Sequence, residues 1–438
     1  MTEAGTLATQ DEIERYLLVN VPAASAGSVR SAGGLAVTRA LLARLGEPQE
    51  EYRAVHVAGT AGKGSVSAFI SAILVAHGFR VGTYTSPHVH SILERFQLGG
   101  RPAPAPEVGA ALQATREAAR YLSEPPSFFE TATATAFSLF RDRTVDYAVI
   151  ETGIGGLLDA TNTIRRPDKL AVLSAIGLDH VDLLGPTLSD IAAQKAGILP
   201  RGGQAVVLGA GTEVATAIAR VAARRSCALD VLAPDDEARA LPATLGLALP
   251  GAHQRVNAAL AVAAGARLAC RDGWSLDGGR TRAALSGVHL PGRFERRRYQ
   301  GHDVILDGAH NPLKLAALAA TLTRALPGRD PVWVVAFKGD KAVSESLRAL
   351  PAGAVVVATE YGAGGLGRPP AAPVPARLLA ELAAGHALVA VPASGVGRAM
   401  DQALALARPD SPIVVTGSFY LAAEAGAYLA PADCRLGR

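Results

Sequence analysis

From residue 54 onward, short apolar, β-branched runs alternate with helix-patterned stretches. The runs predict strands at 54–58 (AVHVA), 80–85, 145–150 (VDYAVI), 170–175 (LAVLSA) and 205–208 (AVVL). Alternation of this kind predicts crossover units and a largely parallel sheet covered by helices. The clearest helix follows the first strand, where Val66, Phe69, Ile70, Ile73 and Leu74 share one face and Gly78 supplies a stop. A second series opens near residue 302. It reads as strand 303–306 (DVIL), helix 312–325, strands 331–337 (PVWVVAF) and 354–359, then alternation up to strand 412–416 (SPIVVT). The stretch 286–293 (SGVHLPGR), carrying glycine and proline, separates the two series. It predicts a domain of residues 1–292 followed by one of residues 293–438. Residues 362–376, rich in Gly, Ala and Pro, read as an exposed loop, and no internal repeat points to a solenoid.

Composition narrows the classes. A chain of 438 residues exceeds the size at which single cores stop growing, which agrees with two domains. Hydrophobic residues at 49% and charged residues at 19% fit a soluble globular protein, and aromatics at only 5% favour closely packed helices over an aromatic-rich β fold. A formal charge of +4 is small for this length. The one dense basic run, Arg293 to Arg298 (RFERRR), is broken by Glu295 and reads as a solvated strand or linker. Nucleic-acid binding is therefore not expected. Cys227, Cys270 and Cys434 lie far apart without metal-type spacing, an odd and sparse set that suits a reducing compartment. The first residues lack the basic start and apolar stretch of a signal peptide. No apolar run approaches the ~20 residues that cross a bilayer. A cytoplasmic protein is expected.

Chemistry concentrates in three places. HVAGTAGKGS, His56 to Ser65, joins a strand to an amphipathic helix, which is where a phosphate cradle sits. Glycines admit anionic oxygens to the backbone N–H groups, the helix N-terminus adds positive potential, and Lys63 adds a point charge. The general P-loop pattern needs glycine where Val57 stands, so only a shorter form, Gly-Thr-x-Gly-Lys-Gly-Ser, is matched. A glycine-rich turn without a ligand is the plain alternative. ETGIGGLLDATN, Glu151 to Asn162, follows strand 145–150 and puts a carboxylate at a strand end, well placed to hold Mg²⁺ beside a phosphate loop. SAIGLDHVDLLGPTLSDIAAQKAGIL, Ser174 to Leu199, is expected to end a strand at Asp179 and His180 and to carry Lys195 on a following helix or turn. Each of these residues alone has an ordinary structural explanation. Three such groups at strand ends beside a phosphate loop favour a site.

The order of motifs resembles the folylpolyglutamate and dihydrofolate synthase family of the Mur-ligase superfamily. It runs HVAGTAGKGS, TSPH at Thr85–His88 with Glu94-Arg95, ETGIGG with LDATN, GLDH with LLGPTL and KAGI, HQRVN at 253–257, PGRFE at 291–295, DGAHNP at 307–312 and TGS at 416–418, nearly the whole chain. The resemblance implies a P-loop-bearing α/β domain with a parallel sheet, followed by a smaller Rossmann-like α/β domain that binds an amino acid. By the same resemblance, Gly59, Thr60, Gly62, Lys63, Gly64, Ser65, Asn257, Arg293 and Asp307 contact ATP. Ser86 and Glu151 hold one Mg²⁺ and His180 a second. Lys195 matches a lysine that the family carries as a carbamate, a further metal ligand. His310 and Ser418 hold the incoming amino acid, and Lys63, Lys195 and His310 serve catalysis. An active site at the domain interface is implied.

The implied activity is an ATP-dependent ligase that adds L-glutamate to a folate, with dihydropteroate as a possible second acid, in a monomer that binds neither nucleic acid nor membrane. Two rivals stand beside it: a Mur-type ligase redirected to another carboxylate, and a catalytically idle nucleotide-binding scaffold. They draw on departures from the family pattern. Ala61 stands where the family usually has asparagine, and Leu157-Leu158 stand where Arg-Leu is common. The stretch Val89 to Leu93 and residues 337–341 (FKGDK) also differ.

Overall fold

The computed structural model describes residues 7–19, 35–233, 241–242, 244–339, 342–362 and 372–430. Cys434, Asp340, Lys341, residues 363–371 of the expected loop and the first six residues lie outside them. The chain forms two compact units. One comprises residues up to His88, Ile92–Ala248 and Gln254–Val288; the other comprises Val89–Ser91, Leu249–His253 and residues from His289 onward.

The first unit is built on β1 (Arg53–Ala58), β2 (Val81–Tyr84), β3 (Phe96–Leu98), β4 (Arg101–Pro102), β5 (Tyr147–Glu151), β6 (Leu170–Leu173), β7 (Gln204–Leu208) and β8 (Ala228–Leu232). Their order across the sheet is β4-β3-β2-β5-β1-β6-β7-β8. Pairing is parallel from β2 to β8, and antiparallel where β3 joins β2 and β4. The central strands are buried along almost their whole length. Helices on both faces of a parallel sheet demand continuous apolar runs of that kind. The antiparallel edge departs from the expected sheet, since strands of two or three residues are too short to show alternation.

Register brings the strand ends to one rim. Val57 lies opposite Glu151, Ala58 opposite Leu173, and Tyr84 opposite Ile150. The turns after β1, β2, β5 and β6 therefore leave the sheet side by side, where ligands of open α/β sheets bind. One expectation is corrected: β6 stops at Leu173, so Asp179 and His180 do not end a strand. The chain leaves the ladder because its next groups turn to the loop after β1. The Ala175 carbonyl accepts from the N–H groups of Thr60 and Ala61 at 2.8 and 3.2 Å.

The second unit contains β9 (Glu295–Tyr299), β10 (His302–Leu306), β11 (Val332–Val335), β12 (Val355–Ala358), β13 (Val389–Pro392) and β14 (Ile413–Thr416). The order is β13-β12-β11-β14-β10-β9, parallel except for the β9–β10 hairpin. The RFERRR run enters β9, an edge strand whose Arg296, Arg297 and Arg298 are exposed. Helix Pro312–Ala325 coincides with the predicted span. Asn311 caps it by accepting from the Lys314 N–H at 3.0 Å, and proline occupies its first turn, where a missing N–H costs nothing. Leu315, Leu318 and Leu322 of this helix pack with Trp333 and Phe337. That packing fixes where His310, just before the cap, is held.

Candidate active site

The loop between β1 and helix Lys63–Ala76 is tied down from the β6 side. Ser174 Oγ donates to the Ala61 carbonyl at 2.8 Å, and Thr60 Oγ1 donates to the Gly177 carbonyl at 2.9 Å while accepting from the Gly177 N–H at 3.1 Å. Two glycines are required by close approach. A Cβ at Gly59 would meet Ser174 Oγ, and one at Gly62 would meet the Asn257 amide; Gly62 also has φ +86°. Asn257 is buried and steadied by its own Nδ2 donating to Gln254 Oε1 at 3.0 Å. The loop thus brings Gly59, Thr60, Gly62 and Asn257 together. Helix Lys63–Ala76 starts at Gly62 with no side-chain cap and no acid in its first turn. Its first N–H groups, with those of Gly64 and Ser65, present donors and positive potential suited to phosphate oxygens.

Two lysines meet at this loop. Lys63 Nζ donates to the Gly59 carbonyl oxygen at 3.3 Å, and Lys195 Nζ, from helix Leu188–Ala196, donates to the same oxygen at 2.9 Å. Lys195 is almost wholly buried. Burial, then the charge of Lys63, pulls its pKa down to about 7, against the opposing pull of Asp179 and Asp159. A substantial fraction of this side chain is then a neutral amine near neutral pH, the form that reacts with CO₂.

Glu151 ends β5 and is buried. Its Oε2 accepts from the Ser86 N–H at 3.1 Å, and a Cβ on Gly64 would stand 3.6 Å from that oxygen. Ser86, Glu151 and the start of helix Lys63–Ala76 therefore share one corner. Among the described residues no three His, Cys, Asp or Glu side chains form a cluster able to hold a metal. Magnesium does not demand such a cage. It commonly takes one or two carboxylates and completes its octahedron with water and substrate phosphate. The Glu151 carboxylate beside a phosphate loop fits that donor pattern. His180 is half-buried with φ +51° just before the short helix Val181–Leu184, and its Nε2 lies 3.9 Å from Asp179 Oδ1.

Sequence reasoning passed over Asp159. Its buried carboxylate accepts from the N–H groups of Gly153, Ile154 and Thr161 at 2.9, 3.1 and 3.0 Å, and from Thr161 Oγ1. Thr161 Oγ1 also lies 2.8 Å from His56 Nε2 on β1. Asp159 thus shapes the loop that leaves Glu151. The acid in LDATN was the available signal.

In the second unit the functional candidates again follow strand ends. Asp307, one residue past β10, is buried and accepts from the N–H groups of Phe294 and Ala309 at 2.8 and 2.9 Å. Burial raises its pKa, and Arg293 opposes the rise. The Arg293 guanidinium stacks 4.3 Å from the Phe419 ring centroid. Ser418 caps helix Phe419–Leu429, its Oγ accepting from the Tyr420 N–H at 3.1 Å. The neighbouring Gly417 donates its N–H to the Ala309 carbonyl at 2.8 Å, which joins the TGS and DGAHNP turns. His310 sits between them. Its Nδ1 lies 2.8 Å from the Gly308 carbonyl, and its ring is 6.1 Å from that of Phe419. Asp307, His310, Arg293 and Ser418 are thus gathered at one rim of the second sheet.

Comparison with known proteins agrees with this layout. Residues 292–419 match the family model described as Mur ligase, glutamate ligase domain. The chain is 36% identical over 365 residues to the dihydrofolate synthase/folylpolyglutamate synthase of Mycobacterium tuberculosis, covering 74% of this chain and 73% of that protein. It is 33% identical over 414 residues to the folylpolyglutamate synthase of Lacticaseibacillus casei, covering 87% and 91% respectively. The structure of Mycobacterium tuberculosis folylpolyglutamate synthase complexed with ADP superposes with a TM-score of 0.82 at 30% identity, over 98% of this chain and 99% of that one.

Proposed function

The chain belongs to the folylpolyglutamate synthase/dihydrofolate synthase family, and from that premise we propose that it is an ATP-dependent ligase adding L-glutamate to a folate. Dihydropteroate is a second acid within the same reading. The observation that carries it is the convergence of Lys63, Lys195, Glu151 and Ser86 on the uncapped start of helix Lys63–Ala76. Residues 1–292 form the ATP-binding catalytic domain and residues 293–438 the amino-acid-binding domain. The protein is read as cytoplasmic and monomeric. Free Cys227 and Cys270 suit a reducing compartment, and among the described residues no helix is long and apolar enough to cross a membrane.

A carboxylate is a poor acyl donor because oxide is a poor leaving group. Transfer of the γ-phosphoryl group of ATP to the folate carboxylate forms an acyl phosphate and releases ADP. The glutamate amine attacks its carbonyl carbon, inorganic phosphate departs with the C–O bonding pair, and the amine loses a proton as the amide forms. No protein nucleophile is needed, so the task is positioning and charge neutralisation. Gly59, Thr60, Gly62, Gly64 and Ser65 cradle the phosphates, Lys63 offsets charge on the transferring group, and Asn257, Arg293 and Asp307 contact the nucleotide. Ser86 and Glu151 would hold one Mg²⁺ and His180 a second, with carbamylated Lys195 as a further ligand, and the ions would neutralise phosphate charge there. As the neutral amine, Lys195 would react with CO₂, forming an N–C bond and releasing one proton, which would turn an uncharged amine into an anionic carbamate suited to a metal. His310 and Ser418 hold the amino acid.

The redirected ligase draws on one observation: Leu157 and Leu158 are 37% and 40% exposed in the loop after Glu151. Purified protein incubated with ATP, Mg²⁺, glutamate and a panel of folates separates the readings. Glutamylated folate with stoichiometric ADP is expected, and Lys63→Ala should remove it at least ~100-fold while leaving the melting temperature within a few degrees. ADP release only with a non-folate acid supports the redirected ligase. Nucleotide binding without turnover on any acid supports the scaffold and overturns the proposal.

A further inference from the structure

At the rim of the first sheet opposite the loop after β1, a lysine is buried without a counterion. β6, β7 and β8 run in register from Leu170, Gln204 and Ala228, so Lys169, Gly203 and Cys227 stand side by side one position earlier. Side chains alternate along a strand, which puts Lys169 on the face of Ala171 and Leu173, where Cys227 packs with residues of helix Thr212–Arg225. Lys169 is only 4% exposed, and a lysine so enclosed normally has an acid beside it. Among the described residues it makes no ion pair. Glu50, a carboxylate that acts on it, already accepts from the Arg165 N–H at 2.8 Å and lies 3.7 Å from the Arg165 guanidinium. Burial, then the charge of Arg225, brings the pKa of Lys169 to about 8, against the pull of Glu50 and Cys227. Arg225 is uncompensated in the same way. Its Nη1 donates to the Leu199 carbonyl at 2.6 Å, while burial and the charge of Arg201 lower its pKa.

We propose that Lys169 is a carbamylation site in its own right, where the neutral amine takes up CO₂ and the resulting carbamate pairs with the Arg225 guanidinium. The site is separate from Lys195, whose Nζ meets the Gly59 carbonyl at the other rim, and it does not depend on the ligase reading. In the reaction the amine nitrogen forms a bond to the carbon of CO₂, one C=O π pair moves onto oxygen, and the nitrogen releases one proton to solvent. An uncharged amine thereby becomes an anion beside a cation that has no carboxylate partner. A carbamate has the flat, two-oxygen shape of a carboxylate, and with Nη1 on Leu199 the Nε and Nη2 donors of Arg225 remain to meet it. Burial also selects the reagent. CO₂ is small and uncharged, whereas phosphate or chloride must be stripped of its hydration shell to reach an enclosed amine. The carbamate would tie the start of β6 to the end of helix Thr212–Arg225, so the strength of that tie follows the CO₂ level.

The test equilibrates wild type and Lys195→Met with ¹³C-bicarbonate, captures carbamates by O-alkylation with a trialkyloxonium salt and locates them by peptide mass spectrometry. Label on the peptide carrying Lys169 is expected in both proteins. The matching carbamate carbon resonance should persist in Lys195→Met and vanish in Lys169→Met. Arg225→Gln should lower the occupancy of Lys169 at least ~10-fold at the same bicarbonate concentration, as loss of a charge-assisted hydrogen bond does. Bicarbonate at fixed pH and ionic strength should raise the melting temperature of Lys195→Met by a few degrees, because a group held only by the folded state stabilises it, and should leave the Lys169→Met/Lys195→Met double variant unmoved. Absence of label and of resonance at Lys169 in folded Lys195→Met at saturating bicarbonate overturns the proposal, and that result needs no substitution at Lys169. Occupancy of Lys169 that Arg225→Gln leaves unchanged overturns the pairing with arginine.

Discussion

Lys63 and Lys195 both direct their Nζ atoms at the carbonyl oxygen of Gly59, from 3.3 and 2.9 Å. One arrives from the start of helix Lys63–Ala76, the other from helix Leu188–Ala196, 136 positions from Gly59 in sequence. Two full positive charges at one oxygen repel each other, and burial makes Lys195 the one that yields. The pair accordingly sets Lys195 to surrender its charge beside Lys63.

That relationship predicts a pH-dependent stability. The folded pKa of Lys195, about 7, lies below the ordinary 10.5. Between those values the unfolded chain binds more protons, so this residue's contribution to stability improves as pH rises from about 7 towards 10.5. In CO₂-free buffer, Lys195→Met should melt higher than wild type at pH 7, and the gain should fade by pH 10. The same variant should lose catalysis at least ~100-fold and recover part of it with added short carboxylates. A gain independent of pH would remove the neutral-amine assignment.

Gly62→Ala meets two obstacles, a left-handed φ of +86° and the Asn257 amide. The backbone term costs about 1–2 kcal/mol. We expect KM for ATP to rise at least ~10-fold with a modest fall in melting temperature. Adding Asn257→Ala relieves the collision but not the backbone strain, so unfolding curves of the double variant should show a penalty smaller than the sum of the two single ones.

Asp159→Asn keeps the shape of the side chain but replaces a carboxylate oxygen with an N–H donor that faces other donors. Loss of charge-assisted bonds of this kind costs about 2–3 kcal/mol. Denaturant titration should show it. The Mg²⁺ concentration needed for half-maximal activity should rise too, because the loop begins at Glu151.

Glu295 illustrates the opposite sign. Burial would raise its pKa, but hydrogen bonds from His90 and the Gly292 N–H, the charge of His90 and a bond from Arg297 outweigh it and bring it to about 2. The folded value lies below the ordinary 4.5, so the stability it confers is present above pH 4.5 and is lost as pH falls towards 2. Glu295→Gln should cost on the order of 2 kcal/mol at pH 7. Melting curves of variant and wild type should converge as pH drops towards 2.

Much of this was legible in the chain. Strand-to-helix alternation placed β1, β5 and helix Pro312–Ala325 because long apolar runs and caps are local signals. Glycines in the phosphate loop were readable as glycines, but their partners, Ser174 and Asn257, were not, since contact across 115 or more positions leaves no local pattern. The misplaced strand end at Asp179 and His180 has the same origin. LAVLSA continues the apolar run past Leu173, and only the hydrogen bonds from Thr60 and Ala61 explain why the ladder stops. Lys169 was invisible as anything but a charge before a strand until it was seen buried under the influence of Arg225.

The outermost strand of the second sheet has a consequence for the life of the protein in a crowded solution. A free strand border exposes a row of amide donors and acceptors onto which a foreign strand can be stitched. On β9 that border bears three consecutive guanidinium groups, Arg296, Arg297 and Arg298, partly balanced by Glu295 and by Asp303 on β10. A second copy approaching in register would bring its own arginines against these. The residues that give the strand its basic look in the sequence thereby guard the sheet against growing into an aggregate.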